Sequence, residues 1–228
     1  VLIPAFAVDR TEVILVQLRE LMEAGRIPRV PVYADSPMAL KALAFYRQAI
    51  NESSPEIRPE VIAAWKNKDP FSTGTLVELT TVDESKTIND PKQPCIIISA
   101  SGMATGGRVL HHFFHHLPTE KNGVIIVGYQ AEGTRGRRLL EGEPTIRIYG
   151  HDIPVKAKVY AVEGLSAHAD QEELMDWAEG FCDKPKLTFV VHGEKKSAET
   201  LAFKLKDELG WNTVIPQYLE SFILFEGI

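Results

Sequence analysis

Cysteine is nearly missing: Cys95 and Cys182 are the only two in 228 residues and stand far apart. That excludes a disulfide framework and a CxxC metal knuckle, and a reducing cytoplasm is the expected compartment. An excess of positive charge is missing too. With 25 Lys and Arg against 31 Asp and Glu, the formal net charge is -6. A protein that coats nucleic acid by overall basicity is thereby excluded, and any polyanion site has to be local. No apolar run approaches the roughly 20 residues that cross a bilayer. No charged-then-apolar leader opens the chain, and there is no internal repeat or low-complexity tract. At 44% hydrophobic and 25% charged residues, the chain is globular and can bury a real core, as one large domain or two small ones. It begins "VLIPAFAVDR", with no Met and already in strand-like text, so a fragment of a longer polypeptide is expected.

Ile14, Leu15, Leu18, Leu21 and Met22 recur at helical spacing, and Gly25 stands where that helix should stop. "RVPVYAD" reads as a strand, and Ser36-Pro37 as the N-cap and first turn of a helix "PMALKALAFYRQAI". Residues 51 to 94 are polar and proline-punctuated, with one helix in "PEVIAAWKN", and read as an excursion from the core. Strand-helix text returns in "CIIISA" with "RVLHHFFHHL", and in "GVIIVGY" with "RRLLEG". Continuous apolar strands joined by helices predict a parallel sheet covered on both faces, a doubly wound α/β domain over about 150 residues. The style then shifts. "TIRIYG" and "VKAKVYAVE" follow each other closely, and the tail reads as helix "QEELMDWAEG", strand "KLTFVVH", helix "SAETLAFKLKDEL", then short strands "TVIPQ" and "SFILF".

Two histidines stand at strand-to-helix junctions. Asp170 and Glu173 form a capping-box pattern, which puts His168 in the loop just before a helix, and His192 ends "KLTFVV" before the next helix. If this segment is a βαβ unit, the carboxyl ends of its strands share one edge and both histidines face one site. Neutral imidazole is a common zinc ligand and imidazolium can protonate an oxyanion; the bland alternative is a polar residue at each strand end. "SASGMATGGR" follows a buried strand and opens a helix. Ser101, Gly102, Gly106 and Gly107 would let backbone N–H groups approach an anion, with Arg108 adding a charge, although such turns are also common as plain structure. "GTRGRR" repeats the pattern with Arg135 and Arg138, which can grip phosphate bidentately or simply be solvated. In "HHFFHH", Leu110, Phe113, Phe114 and Leu117 make an apolar stripe and put His111 and His115 on the wetter face. His112 and His116, one turn apart, are read as a solvated or interfacial face rather than a metal site. Ser36 reads as a plain N-cap. Ser166 is a phosphate-binding candidate because the loop that aims His168 would aim it too.

The motifs "PAFAVDRTE", "SASGMATGGRVLHHF", "SAHAD" and "VVHGE", in this order, resemble the β-CASP branch of the metallo-β-lactamase-fold nucleases, which includes bacterial and archaeal RNases and the eukaryotic cleavage-and-polyadenylation endonuclease. The resemblance covers essentially the whole chain. It implies an α/β fold with a Rossmann-like, parallel-sheet β-CASP domain over 1–154, followed over 155–228 by the C-terminal part of a metallo-β-lactamase αββα domain. It implies hydrolysis of single-stranded RNA by a protein with two zinc ions, and RNA held between the two domains by backbone contacts. His168 matches the family's motif B histidine at the scissile phosphate. His192 matches the motif C histidine, a zinc ligand, and histidine there points to RNA where valine would point to DNA. The family's HxHxDH zinc motif is absent, so the fragment alone is expected to be inactive, and Asp9 stands where family members often have glycine. A homodimer is left open. So are a catalytically silent RNA-binding subunit, a DNA-directed nuclease and a phosphate-ligand-binding α/β module.

Overall fold

Alternate residues of the inner strands point to opposite faces, and both sets are apolar, so the sheet needs helices on both sides. The computed structural model, which describes residues 1–166 and 168–224, supplies them. The first of its two compact units ends at Ser166 and the second is made of the residues that follow. The first begins with β1 (Leu2–Pro4), α1 (Arg10–Glu23), β2 (Val32–Asp35), α2 (Pro37–Asn51), α3 (Pro59–Trp65), β3 (Leu76–Glu78) and α4 (Val82–Lys86). It continues with β4 (Ile96–Ser99), α5 (Val109–His116), β5 (Gly123–Val127), α6 (Arg135–Leu140), β6 (Thr145–Ile148), β7 (His151–Pro154) and β8 (Lys158–Val162).

Six strands form one parallel sheet in the order β3-β2-β4-β1-β5-β8. On one face Ile3, Ile96 and Ile98 pack against Ile14, Leu15, Leu18 and Met22 of α1 and Leu43 of α2. On the other, Leu2, Ile97, Val124 and Ile126 pack against Val109, Leu110 and Phe113 of α5 and Leu139 of α6. Fully buried side chains such as Phe113 and Leu15 each contribute about 1.5–3 kcal/mol by leaving water. Local signals hold where expected: Ser36 caps α2, its hydroxyl accepting from the Ala39 N–H at 3.3 Å with Pro37 in the first turn, and Gly25 follows α1 with φ 65.

Three features differ from the sequence expectation. The stretch 51–94 is not wholly an excursion, because β3 pairs with β2 from Val32↔Leu76 to Ala34↔Glu78 and forms an edge of the sheet. Its solvent-facing Val77 and Glu78 break the apolar pattern that marks an inner strand. "TIRIYG" turns back on the unexpected strand β7 as an antiparallel hairpin, Ile146 opposite Ile153. "VKAKVYAVE" contributes β8, which pairs with β5 along its length, Gly123↔Lys158 to Val127↔Val162.

The second unit has α7 (Gln171–Glu179), β9 (Thr188–Phe189), α8 (Lys195–Leu209) and β10 (Thr213–Val214), with β9 and β10 parallel. Met175, Ala178, Val190, Ala198, Ala202, Leu205 and Trp211 form its core, and α8 stops at Gly210 in the left-handed conformation, φ 65. The suggested βαβ unit of β8, α7 and β9 is not formed, since β8 belongs to the six-stranded sheet. The parallel unit is β9-α8-β10 instead. Of "SFILF", residues 221–224 form no strand and residue 225 lies outside the described residues. Among the described residues no helix is long and apolar enough to cross a membrane.

One buried charge stands out in α1. Glu12 is 5% exposed, and neither carboxylate oxygen meets a hydrogen-bond partner among the described residues. Burial pushes its pKa up to about 7; its own N–H and that of Asp9 pull down, and the Asp9 charge pushes up. Between the ordinary value of 4.5 and about 7 the folded chain therefore keeps a proton that the unfolded chain has lost. Stability is complete below that window, falls as pH rises through it, and is flat above it. Thermal unfolding at mildly acidic and mildly basic pH is expected to show a loss of up to about 3 kcal/mol across the window, and Glu12→Gln is expected to abolish that slope.

Candidate functional site

In the sheet order, β1 leads through α1 to β2 on one side, and β4 leads through α5 to β5 on the other. The loops leaving the neighbouring strands β1 and β4 therefore lead to opposite faces of the sheet, and it is in the crevice outside the carboxyl ends at such a point that open α/β sheets hold ligands. The "SASGMATGGR" turn lies there. It is tightly built: Ser101 Oγ accepts from the Thr105 N–H at 3.1 Å, Ser101 N–H donates to Gly106 O at 3.3 Å, and Val109 N–H donates to Ala100 O at 3.2 Å. A Cβ on Gly102 would sit 2.9 Å from the Phe6 ring, and one on Gly107, at φ 81, would sit 2.6 Å from Ala100 O. Those two glycines serve the turn's own packing. Gly106 does not, for a Cβ there would meet nothing. Among the described residues the backbone N–H groups of Gly106, Gly107 and Arg108 have no acceptor. Such a run of N–H groups at the positive end of a helix suits an anion.

The turn is held by a buried carboxylate. Asp35, at the end of β2, is 0% exposed and accepts from three side chains. Arg108 Nη1 donates to Oδ1 at 2.6 Å, while His112 Nε2 and Ser85 Oγ donate to Oδ2 at 2.6 and 2.5 Å. Ser99 Oγ adds a bond to the Asp35 carbonyl at 2.8 Å. Burial alone would raise the Asp35 pKa; the bonds from His112, Ser85 and Arg108 outweigh it and hold the carboxyl below the ordinary range. Arg108 also donates to Leu79 O and Thr80 O, at 3.2 and 3.1 Å.

A third loop, between β5 and α6, is knitted to the same turn. Gln130 Nε2 donates to Gly102 O at 3.1 Å and Gly136 N–H to Met103 O at 3.2 Å. Arg135 donates through Nε to Arg147 O at 2.8 Å and through Nη1 to Ala104 O and Thr105 O at 3.4 Å. Arg138 forks onto Glu143 at 2.8 and 2.5 Å. The guanidinium groups of Arg108, Arg135 and Arg138 are thus each engaged within the protein.

In the second unit, His168 is exposed just before α7, whose N-cap Asp170 accepts from the Glu173 N–H at 3.0 Å while Glu173 accepts from the Asp170 N–H at 2.9 Å. This is the capping box read from sequence. His192, exposed and at φ 62, follows β9 and precedes α8. An open hollow of about 670 Å³ is lined by Ala169 and Asp170, which directly follow His168, by His192 and Gly193, and by the apolar Leu174 and Trp177. The two histidine loops border one hollow by this route rather than through a shared sheet edge. Ser166 is exposed at the end of the first unit. Among the described residues no three His, Cys, Asp or Glu side chains gather as a metal site, and one imidazole at His192 does not fit a complete zinc centre.

The Beta-Casp domain model matches residues 11–139, more than half of the chain, and the model of the Zn-dependent metallo-hydrolase RNA specificity domain matches residues 152–216. The chain belongs to the β-CASP family of metallo-β-lactamase-fold ribonucleases. It is 37% identical over 196 residues to "Ribonuclease TTHA0252" of Thermus thermophilus, a match spanning 86% of this chain and 43% of that protein. It is 36% identical over 217 residues to an "RNase J-like protein" of Methanocaldococcus jannaschii, spanning 95% and 48%. To "Transcription termination factor FttA" of the same organism it is 32% identical over 226 residues, spanning 97% and 35%. The chain thus covers less than half the length of these β-CASP relatives.

Two features of this β-CASP chain escape its sequence. Asp35 ends a strand in "VYADSP" and reads as ordinary turn text, yet it organises the crevice. The signal was at the start of α5, where Arg108, the N-cap, and His112 stand one turn apart beside an apolar stripe: two donors on one side of a core helix call for an acid. The second is the pair His112 and His116. Both are buried rather than on a solvated face, because His112 turns to Asp35 and His116 Nε2 meets Ile88 O at 3.0 Å. Burial first, then the neighbouring His112, pushes the His116 pKa down to about 4. His111 and His115 take the exposed face, as the stripe predicts. Removing the carboxylate strands three donors, of which His112 and Ser85 are buried, so Asp35→Ala is expected to destabilise the first unit by roughly 3–5 kcal/mol in urea unfolding.

Proposed function

We propose that this chain is the RNA-holding part of a zinc-dependent ribonuclease acting on single-stranded RNA, and that the crevice at the β1 and β4 ends holds the RNA backbone. The observation that carries this reading is the run of uncommitted N–H groups at Gly106, Gly107 and Arg108, which Asp35 keeps in place through Arg108. Backbone N–H groups recognise phosphate and not base, so cleavage should depend little on sequence. Ser101 and Gly102 would shape the turn, and Arg135 and Arg138 would border it. The match to the RNA specificity domain and the likeness to ribonucleases support RNA as the substrate.

Zinc fits the family description, but His192 is a single donor. The other donors would come from outside the described residues. The first unit of this chain binds and aligns the strand, and His168, exposed beside the hollow that His192 lines, donates a proton to the departing oxygen near neutral pH. Ser166 would hydrogen-bond the same phosphate. By itself the chain is expected to be inactive. A second reading, in which cleavage serves transcription termination, is favoured by the relatives named for that role at 31–34% identity.

End-labelled single-stranded RNA incubated with the full-length protein is expected to be cut, and a zinc chelator or His192→Ala should stop the cutting. His168→Ala should slow it about 100-fold or more while leaving bound zinc unchanged. A folded, zinc-loaded protein that cuts nothing would point to the silent RNA-binding alternative. For the crevice itself, Gly106→Ala is expected to weaken RNA binding about 10- to 100-fold, as one or two charge-assisted bonds are obstructed. Its melting temperature should not change, because the added methyl meets nothing in the fold.

A further inference from the structure

The β6-β7 hairpin ends in a sterically unfavourable choice of residue. Ile148 pairs with His151, so the loop is Tyr149-Gly150, and both residues are left-handed, at φ 50 and φ 82. A two-residue loop of this kind favours Asn-Gly, and a bulky aromatic residue at the first position works against the turn. A residue that opposes its own backbone and yet does not fill a core calls for a role outside the fold. Tyr149 is 52% exposed, so burial does not explain it.

Its surroundings suit a nucleobase. The Tyr149 ring lies on that of His111, centroids 4.9 Å apart and planes inclined by 36°, and His111 is itself exposed on the outer face of α5. Arg135 ties the hairpin to the crevice, donating to Arg147 O on one side and to Ala104 O and Thr105 O of the turn on the other. The exposed Arg147 side chain stands next to the tip, with Asp152 at 3.5 Å as its acidic neighbour. An exposed ring pair, flanked by arginines and fastened to a turn with unpaired backbone N–H groups, is the combination with which proteins hold single strands: cations follow the backbone and aromatic faces take the bases.

We propose that Tyr149, backed by His111, is a stacking platform for one base of a single-stranded RNA whose phosphate lies at Gly106 to Arg108. The inference rests on the RNA-holding reading of the crevice and adds a contact for a base, which backbone recognition alone does not require. Stacking tolerates any base, so the platform raises affinity for single strands over duplex without selecting a sequence.

The test uses this chain, a short fluorescent oligoadenylate, and an abasic ribose-phosphate oligomer of the same length. Tyr149→Asn restores the residue the turn prefers, so it should melt at the same temperature or higher while binding oligoadenylate roughly 5- to 150-fold more weakly, the loss of one stacked base. Tyr149→Trp should bind as the wild type does. His111→Ala, a change on an exposed helix face, should weaken oligoadenylate binding in the same sense. Affinity for the abasic oligomer should be the same in all four proteins. Equal oligoadenylate binding by wild type and Tyr149→Asn would overturn the platform and leave the crevice reading intact. Absence of binding to either oligomer by the wild type would overturn the crevice reading and the platform with it.

Discussion

The arrangement of this molecule depends on one buried charge. Asp35 lies at the end of an inner strand with no exposure, a position that is costly for a carboxylate unless its lone pairs are filled. They are filled by three donors from two separate pieces of chain: Ser85 on α4, and Arg108 and His112, the N-cap of α5 and a residue one turn into it. Because Arg108 is fixed at its far end, the backbone just before it is fixed as well. Among the described residues its N–H groups at Gly106, Gly107 and Arg108 have no acceptor.

That division of labour explains the chemistry of the turn. Gly102 and Gly107 are needed because Phe6 and the Ala100 carbonyl come too close for a side chain, while the space at Gly106 is left open. Arg108 and Arg135 fasten loops to one another, and a run of oriented amides whose geometry does not need to reorganise is a feature that suits an anion. A net charge of -6 is compatible with this, since a polyanion needs only a local nest. The hollow of the second unit has a different character. Its lining is partly apolar, with Leu174 and Trp177, and the two histidine loops lie at its border.

Much of the fold was legible because local signals agreed with tertiary ones. The Ser36-Pro37 cap, the Asp170 and Glu173 capping box and the apolar stripe on α5 lie where the sequence puts them. The glycine-rich motif lies at the carboxyl end of the sheet because it follows an inner strand and opens a helix, as its pattern suggested. What was not legible depends on partners distant in sequence. β3 is an edge strand whose exposed residues break the inner-strand pattern, and β8 joins β5 instead of the unit that follows it. His112 and His116 could not be told from a wet helix face until Asp35 and the Ile88 carbonyl were placed beside them. Glu12 is the same lesson in reverse: a glutamate in a first helical turn reads as solvated, yet the packing closes over it.

The account stands on the claim that the amides held in place by Asp35 are the phosphate site. Amide chemical shifts of this chain, followed while a short single-stranded RNA is titrated in, address that claim residue by residue. The account predicts that the largest early shifts are those of Gly106, Gly107 and Arg108, and that they disappear when Asp35 is replaced by asparagine. Saturable RNA binding that leaves those three amides unmoved would contradict it.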